Sequence, residues 1–437
     1  YIANNIDMTN KAYGLDHIQE VEFSADGTLT ATDLREEMDT IKNIRLIDYR
    51  PTITVFNQLQ SMRLYYKFVD VDIDRYTIDG SQQQVYLSAR ELDQNSLDSS
   101  AQTWVNKYLK YTHGYGAVAT PVNQVTTQGQ PEMWVENIPP TTEVPELEIT
   151  RPEIYFGQLT NDYVIVNTKE PEFDYPTGDS NAQSQYQEDA GIPLNLPNKI
   201  LFALDRANYK ILFSNLITSD SKILLNRNII ERVEKIAPFL TFESNPYLVI
   251  DQGRLVWIID AYTSTDKYPY AAPVSNSESP FYGQNYIRNS VKATVDAYTG
   301  ETKFYICDEQ DPLIQSYAKV FPGLFQSLDQ MPENLRQHLK YSTTLFEVQT
   351  EIYQQYHMKN PTVFYNKEDM WSIANEIYGS ETTKMEPYFV NMRLPGSDQL
   401  EFLLMRPFTP TQKQNMVAWL AARNDDEHYG ELVLFKF

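Results

Sequence analysis

Three aspartates at alternate positions are the clearest candidates for chemistry in this chain. Asp70, Asp72 and Asp74 are spaced so that an extended strand would point all three side chains to one face. Carboxylates this close repel one another unless a cation neutralises them, and calcium accepts such clusters. The spacing predicts a calcium site, although Arg75 follows where an EF-hand would need other residues. The alternative is a solvated strand face paired with Arg or Lys.

A second candidate is the glycine-punctuated segment 111–116 (YTHGYG), which places His113 between Thr112 and Gly114. Glycine permits backbone conformations that could close around a ligand. The segment lacks the GxxxxGK[ST] pattern of a phosphate loop, so phosphate binding is not supported. A structural turn with a hydrogen-bonded histidine is the favoured interpretation.

Familiar catalytic motifs are absent from the sequence. The five histidines form no HExxH pair, and there is no GxSxG nucleophile elbow. Cys307 is the sole cysteine, which excludes an intramolecular disulfide and a thiolate-rich zinc site. It ends an apolar strand and is predicted to be buried and inert. Carboxylate pairs for glycoside hydrolysis are too numerous to choose among, so the catalytic residues are unknown and enzymatic activity stays open.

Composition limits the partners. Acidic residues outnumber basic ones by 59 to 36, giving a net charge of -23, and such a field repels the phosphates of nucleic acid. The charge suits cations or cationic polymers, or solubility alone. The 31 tyrosines suit half-buried sheets and binding surfaces. No segment approaches the roughly 18 to 20 apolar residues needed to span a bilayer.

The pattern of elements predicts an α+β fold with mixed or antiparallel sheets and packed helices. We expect an N-terminal α+β region at 1–120, a proline-rich connector at 121–153 and a main α+β domain at 154–437. Long loops are predicted near 169–198 and 266–284.

Apolar periodicity and turn signals set the expected elements. The predicted helices are 1–13, 33–44, 103–109, 222–236, one beginning at 311, 332–339, 345–358, 369–378 and 409–423. The predicted strands are 69–76, 154–156 paired with 163–166, 247–250, 254–262, a hairpin of 286–295 with 302–307, 399–405 and 432–435.

Local signals support several of these ends. Asp33 with Glu36, and Thr409 with Gln412, read as capping boxes. Asp311 reads as a helix cap, with Pro312 at the first helical position.

The same four-residue sequence occurs near the ends of two of the predicted strands. Residues 260–263 and 296–299 share the sequence DAYT. The repeat predicts either a duplicated strand-turn unit or two strands paired in one sheet, rather than chance.

Several segments resemble the uncharacterised protein family 0182 of bacterial multi-pass membrane proteins, and together they cover nearly the whole chain. They are 1–6 (YIANNI), 12–15 (AYGL), 64–68 (LYYKF), 70–76 (DVDIDRY), 103–106 (TWVN), 111–116 (YTHGYG), 152–157 (PEIYFG), 415–423 (NMVAWLAAR) and 429–430 (YG). A separate hairpin, 295–301, is similar to that of PepSY-type extracytoplasmic modules.

The family resemblance implies an N-terminal bundle of transmembrane helices followed by a large domain on the extracytoplasmic face of the cell membrane. The chain begins without Met inside a predicted helix and ends inside a predicted strand, so we expect it to be that domain alone. The resemblance carries no established activity and no cofactor beyond the calcium predicted above.

Three functions stay open at this stage. The first is a non-enzymatic module that binds an envelope component or a protein partner, besides its own transmembrane region. The second is a cell-envelope hydrolase that uses carboxylates, which should show a deep pocket holding carboxylates with perturbed pKa values. The third is a calcium-stabilised structural domain.

Overall fold

The helices of the computed structural model, which describes residues 1–24 and 27–437, are mostly short and capped. α1 illustrates the rule, since Ile6 and Thr9 are buried on one face and Gly14, with a φ of 68°, ends the helix as predicted. The helices are α1 (Ile2–Ala12), α2 (Ala31–Glu36), α3 (Met38–Lys42), α4 (Tyr49–Leu59), α5 (Leu196–Asp205), α6 (Lys210–Phe213), α7 (Ile229–Ile236), α8 (Pro312–Val320), α9 (Glu333–Arg336), α10 (Thr343–Tyr356) and α11 (Pro361–Asn366), with a π-helix at Asn106–Lys110.

The strands form mixed sheets, which confirms the α+β class. They are β1 (Gln19–Glu22), β2 (Tyr66–Lys67), β3 (Asp72–Ile78), β4 (Ser81–Ala89), β5 (Glu91–Leu92), β6 (Gly114–Tyr115), β7 (Ala117–Pro121), β8 (Val135–Glu136), β9 (Thr141–Thr142), β10 (Glu153–Ile154), β11 (Val164–Val166), β12 (Glu172–Thr177), β13 (Ser180–Ser184), β14 (Ile192–Pro193), β15 (Lys222–Leu224), β16 (Thr241–Phe242), β17 (Tyr247–Asp251), β18 (Arg254–Thr265), β19 (Tyr286–Asp296), β20 (Thr302–Ile306), β21 (Phe325–Ser327), β22 (Trp371–Ile373), β23 (Asn375–Tyr378), β24 (Glu381–Lys384), β25 (Tyr388–Arg393), β26 (Leu400–Pro410), β27 (Ala418–Arg423) and β28 (Leu432–Lys436).

The central sheet has the order β16-β18-β19-β20-β21, with β17 also paired to β18. Its hairpin between β19 and β20 turns at Gly300, which has a φ of 71°, as predicted. The first DAYT copy lies within β18, the second begins at Asp296, the last residue of β19, and continues into the turn, and the two strands are antiparallel neighbours. The prediction of two strands paired in one sheet is confirmed. The PepSY likeness of this hairpin stays a prediction.

The C-terminal sheet has the order β1-β28-β27-β26-β22, with β25 also paired to β26. Two predicted helices, 369–378 and 409–423, are wrong because these segments supply β22, β23 and β27. Ala418 to Ala422 are all buried, so β27 is covered on both faces and lacks the alternation that marks a half-exposed strand. The supposed cap at Gln412 lies in a turn with a φ of 71°.

The N-terminal sheet has the order β3-β4-β7-β8-β9. Its last two strands lie within the predicted connector 121–153, and the largest apolar core runs from Tyr76 to Ile314. Strands before and within that segment therefore share one sheet, and residues on both sides of it share one apolar core. The three-part domain division itself stays a prediction.

Several segments between residues 153 and 236 differ in strand pairing or in secondary structure from the prediction. β10 pairs with β6 and β11 pairs with β15, so the predicted partnership of 154–156 with 163–166 is wrong. The predicted loop 169–198 contains the hairpin of β12 and β13. The predicted helix 222–236 is a strand, β15, followed by α7, whose Asn228 side chain accepts from the backbone N–H groups of Ile230 and Glu231.

The N-terminal cap of α2 lies three residues before the predicted cap. Thr30 and Asp33 form the capping box of α2, so the predicted box of Asp33 with Glu36 and the single helix 33–44 are wrong. The cap of α8 is as predicted, with Asp311 accepting from the N–H groups of Leu313 and Ile314. Within the described ranges, none of the helices combines the length and the apolar character that crossing a bilayer requires.

Candidate functional site

A groove of about 750 Å³ lies where several distant parts of the chain meet. It is formed by the end of α1, the residues after β18, the strand β19, the residues after β20 and the residues before α10 and β28. Tyrosines from all of these parts except the residues after β20 line it, and we call it the tyrosine groove. These tyrosines are Tyr13, Tyr268, Tyr286, Tyr341 and Tyr429.

One wall of the groove is a stack of two aromatic rings and a guanidinium. The rings of Tyr268 and Tyr286 are stacked with centroids 5.3 Å apart, and the Arg288 guanidinium lies 4.7 Å from the Tyr286 centroid. The Tyr286 hydroxyl donates to Asp311 at 2.7 Å, which ties the ring to the cap of α8. This wall is therefore a rigid aromatic surface with a cationic edge.

Arg288 also joins the first helix to the central sheet. Its guanidinium donates to the carbonyls of Lys11 at 2.6 Å and Ala12 at 2.5 Å, which lie in the last turn of α1. A cation at a helix C-terminus is favoured by the helix dipole. The neighbouring Tyr13 is held in place by its hydroxyl, which donates to the Ala272 carbonyl at 2.8 Å.

The opposite wall is fixed by a chain of hydrogen bonds. Tyr341 donates to the side-chain oxygen of Gln349 at 2.8 Å, and the Gln349 amide donates to the Tyr13 carbonyl at 2.8 Å. Tyr429 donates to the Lys340 carbonyl at 3.2 Å. These hydroxyls are engaged by the protein, and the ring surface that the groove presents comes from the half-buried Tyr268, Tyr341 and Tyr429, since Tyr13 and Tyr286 are buried.

The groove offers polar contacts but no activated nucleophile. Burial raises the pKa of the Cys307 thiol to about 12, and the thiol lies 3.0 Å from the Asn289 carbonyl. Burial likewise raises the pKa of Tyr341 to about 12. Both groups are protonated at neutral pH, which agrees with the prediction that Cys307 is inert.

A second cavity of about 340 Å³ contains two of the three candidate aspartates, Asp70 and Asp72. Asp72 is buried and accepts from the Leu248 N–H at 2.9 Å. Burial raises the pKa of Asp72 to about 7, although the nearby Lys340 ammonium opposes this. The same burial lowers the pKa of Lys340, which donates to the Ile73 carbonyl at 2.8 Å. We call this space the Asp72 cavity.

The third aspartate is separated from this cavity by its own partners. Asp74 is fully buried, accepts from the Arg75 backbone N–H at 2.8 Å and lies 2.8 Å from Nδ1 of His338. Burial opposes its ionisation, but His338 and Arg75 outweigh that effect and lower the pKa of Asp74. The prediction of a solvated face for these aspartates is therefore wrong, because Asp72 and Asp74 lie inside the protein.

Cations of the protein thus lie beside two of the predicted calcium ligands, Arg75 near Asp74 and Lys340 near Asp72, which is the Arg or Lys pairing that the alternative expected. Across residues 1–24 and 27–437, no group of three or more His, Cys, Asp or Glu side chains could hold a metal ion. Calcium at Asp70, Asp72 and Asp74 stays a prediction.

His113 lies in a separate buried cluster. Its Nδ1 is 2.9 Å from the Gly114 carbonyl, and burial lowers its pKa to about 4, so the ring is neutral. Nearby, Glu172 accepts from the Tyr155 hydroxyl at 2.7 Å, and burial raises the pKa of Glu172 to about 7. This arrangement agrees with the interpretation of a structural turn.

Sequence reasoning missed the residues of the tyrosine groove. Tyr268, Tyr286 and Arg288 belong to no motif, and the groove exists only because segments far apart in sequence meet. The one signal was compositional, the excess of tyrosine over phenylalanine.

Comparison with known proteins gives a consistent result. The model of "Uncharacterised protein family (UPF0182)" matches residues 1–437. All of this chain aligns with UPF0182 proteins of Alkaliphilus metalliredigens at 49% identity, covering 46% of that protein, and of Pelotomaculum thermopropionicum at 49%, covering 47%. It also aligns along its whole length with the UPF0182 protein of Methanospirillum hungatei at 50% identity, covering 49% of that protein.

The chain thus spans about half the length of these relatives. No solved structure matches it. On the match along its whole length and the identity to these relatives, the chain belongs to the uncharacterised protein family UPF0182.

Proposed function

We propose that this chain is the extracytoplasmic domain of a membrane protein and that it binds a component of the cell envelope in the tyrosine groove. The observation that carries the proposal is the groove itself, with its wall of Tyr268, Tyr286 and Arg288. Its volume of about 750 Å³ lies within the range of ligand-binding clefts. The placement outside the membrane rests on the family resemblance described above.

The chemistry of the groove favours a hydroxyl-rich polymer such as an envelope glycan. The flat C–H faces of a sugar ring pack well against an aromatic ring, and the half-buried Tyr268 supplies such a surface, backed by the buried Tyr286. Sugar hydroxyls need donors and acceptors at the edges, which Arg288, Asp308 and Gln310 provide. The mixture of charges also suits a ligand that is largely neutral.

Calorimetric titration with soluble oligosaccharides of N-acetylhexosamine tests the proposal. Tyr268→Ala removes one face of the wall and should weaken binding about tenfold, because an aromatic contact contributes about 0.5–1.5 kcal/mol beyond its buried area. Tyr365→Ala is the control, since Tyr365 is an exposed tyrosine on α11 outside the groove. Equal affinity of Tyr268→Ala and the wild type, or no binding of any glycan, would contradict the proposal.

The Asp72 cavity favours a second function, carboxylate-dependent hydrolysis of an envelope polymer. A carboxyl with a pKa of about 7 can hold a proton at neutral pH and deliver it as a general acid. Asp70 lies beside it in the same cavity and could assist as a second carboxylate. Release of reducing ends from an envelope glycan should then be lost in Asp72→Asn. Activity that survives this substitution would exclude the role of Asp72.

A further inference from the structure

The segment 196–213, formed by α5 and α6 and called here the α5–α6 hairpin, exposes an unusual density of large apolar side chains. These residues and their exposed fractions are Leu196 66%, Ile200 43%, Leu201 62%, Leu204 75%, Tyr209 68% and Phe213 75%. A soluble surface normally scatters such residues singly, and a contiguous group of this kind marks an interaction surface.

The geometry of α5 explains why these side chains face outward. Leu196, Ile200 and Leu204 follow one another at intervals of four, which places them on one face of the helix. The opposite face packs Phe202 and Ala203 against a small apolar core. The helix therefore has two apolar faces, of which the protein covers only one.

A short repeat places similar residues in the second helix. The sequence KILF occurs at 199–202 and again at 210–213. In the second copy Ile211 is buried while Phe213 is exposed. The exposed surface thus continues from α5 onto α6.

The charge of this surface is opposite to that of the chain. Within residues 196–213 the charged residues are Lys199, Lys210 and the ion pair of Arg206 with Asp205, while Asp189 and Asp220 lie outside this segment. The segment is therefore basic within a chain of net charge -23. Apolar residues with basic residues at their margin are the pattern of helices that lie in the interface of an anionic membrane.

We infer that the α5–α6 hairpin docks onto the surface of a bilayer that contains anionic lipid. Leu201, Leu204 and Phe213 enter the boundary between headgroups and acyl chains. Lys210 extends along the apolar surface and keeps its ammonium group among the phosphates, while the half-buried Lys199, whose ammonium donates to the Ile217 carbonyl at 3.5 Å, adds to the positive field. The inference concerns a surface separate from the tyrosine groove and goes beyond the function proposed for it.

Charge argues against a second copy of the chain as the occupant. A twofold dimer through this surface would place Lys210 and its neighbours against the same residues of the partner. Juxtaposed like charges oppose such a contact, whereas an anionic lipid surface attracts them. An anionic bilayer therefore satisfies both the apolar and the basic parts of the surface.

Vesicle flotation with the whole chain tests the inference. The chain should float with vesicles of phosphatidylcholine mixed with phosphatidylglycerol, and much less with vesicles of phosphatidylcholine alone. In the double variant Leu201→Asp/Leu204→Asp, binding should fall at least tenfold, because neither side chain then buries apolar surface in the bilayer. Lys210→Glu should weaken binding only to the anionic vesicles.

Both leucines are exposed, so their replacement leaves the core intact, and circular dichroism checks the fold. Ile377→Asp is the matched control, since Ile377 is 79% exposed on β23, outside the α5–α6 hairpin. Tyr268→Ala should float like the wild type, which separates this surface from the tyrosine groove.

Three results would overturn the inference. They are no flotation with anionic vesicles, an equal loss in Ile377→Asp, and a dimer that depends on Leu204 and forms without any binding to vesicles. The last result would assign the surface to self-association.

Discussion

Lys292 lies at the centre of the protein, and its replacement by methionine should destabilise the fold strongly. The ammonium group has no exposed surface and donates to the Asp260 carboxylate and, at 2.5 Å, to the Lys340 carbonyl. Burial alone would lower the pKa of Lys292, but Asp260 and Tyr247 raise it above its usual value. The side chain is therefore charged, and it compensates a carboxylate that is itself buried.

The expected loss of folding free energy depends on which hydrogen bonds the partners of Lys292 lose. In Lys292→Met the Lys340 carbonyl keeps the Tyr429 hydroxyl as a donor at 3.2 Å, so the penalty falls on Asp260. Leaving one member of a buried pair uncompensated costs about 3–5 kcal/mol. Domains have a total stability of about 5–15 kcal/mol, so this loss is a large fraction of it.

Urea unfolding, followed by the fluorescence of tryptophans such as the buried Trp257, measures the effect. The double variant Asp260→Asn/Lys292→Met removes both charges and should be within about 2 kcal/mol of the wild type. A loss below about 1 kcal/mol, or a double variant that loses as much as the single one, would refute this reasoning.

Three other substitutions have defined outcomes. The pKa of Asp72 is raised to about 7, so the protonated carboxyl stabilises the fold at low pH, and this contribution is lost as the pH rises from about 4 to 7. Over that rise, the melting temperature of Asp72→Asn should therefore fall less than that of the wild type. Gly157→Ala would place a Cβ 2.4 Å from Glu91 Oε2, and urea unfolding should show a loss of about 1–3 kcal/mol; a loss under about 0.5 kcal/mol would contradict the clash. Asp311→Ala removes the cap of α8 and the acceptor of the Tyr286 hydroxyl, so it should lower the free energy of unfolding by about 2–4 kcal/mol and weaken glycan binding. Unchanged glycan binding would show that Asp311 does not support the wall of the groove.

Much of the central sheet could be predicted because its signals are local. β17, β18 and the hairpin of β19 and β20 combine short apolar runs with a glycine turn at Gly300, and the sequence contains both parts. The caps of α1 and α8 are equally local, since Gly14 and Asp311 act on residues within one turn. Helix or strand type follows in such cases from neighbours in sequence.

Two of the failures have identifiable physical causes, burial from both sides and the direct succession of a strand and a helix. β27 is covered on both faces, so its apolar residues do not alternate and also fit a helical stripe. β15 and α7 lie end to end, and their apolar positions merge into one apparent helix.

The aspartates were misplaced because their partners are remote. His338 and Lys340 approach Asp74 and Asp72 from more than 260 residues away, and no local pattern announces them. The tyrosine groove was invisible for the same reason, since only the fold brings Tyr13, Tyr286 and Tyr429 together.

The pairing of β1 with β28 also has a consequence for the time course of biosynthesis. Gln19 is opposite Val433, so more than 400 residues separate the two partners. At a synthesis rate of about 5–20 residues per second, β1 waits roughly 20–80 s before its partner exists. During that interval its hydrogen-bonding edge is available to other chains, and β1 carries Glu20 and Glu22, the kind of charged side chains that discourage edge-to-edge association. The acidic character of this strand thus protects the nascent chain before it contributes to the finished sheet.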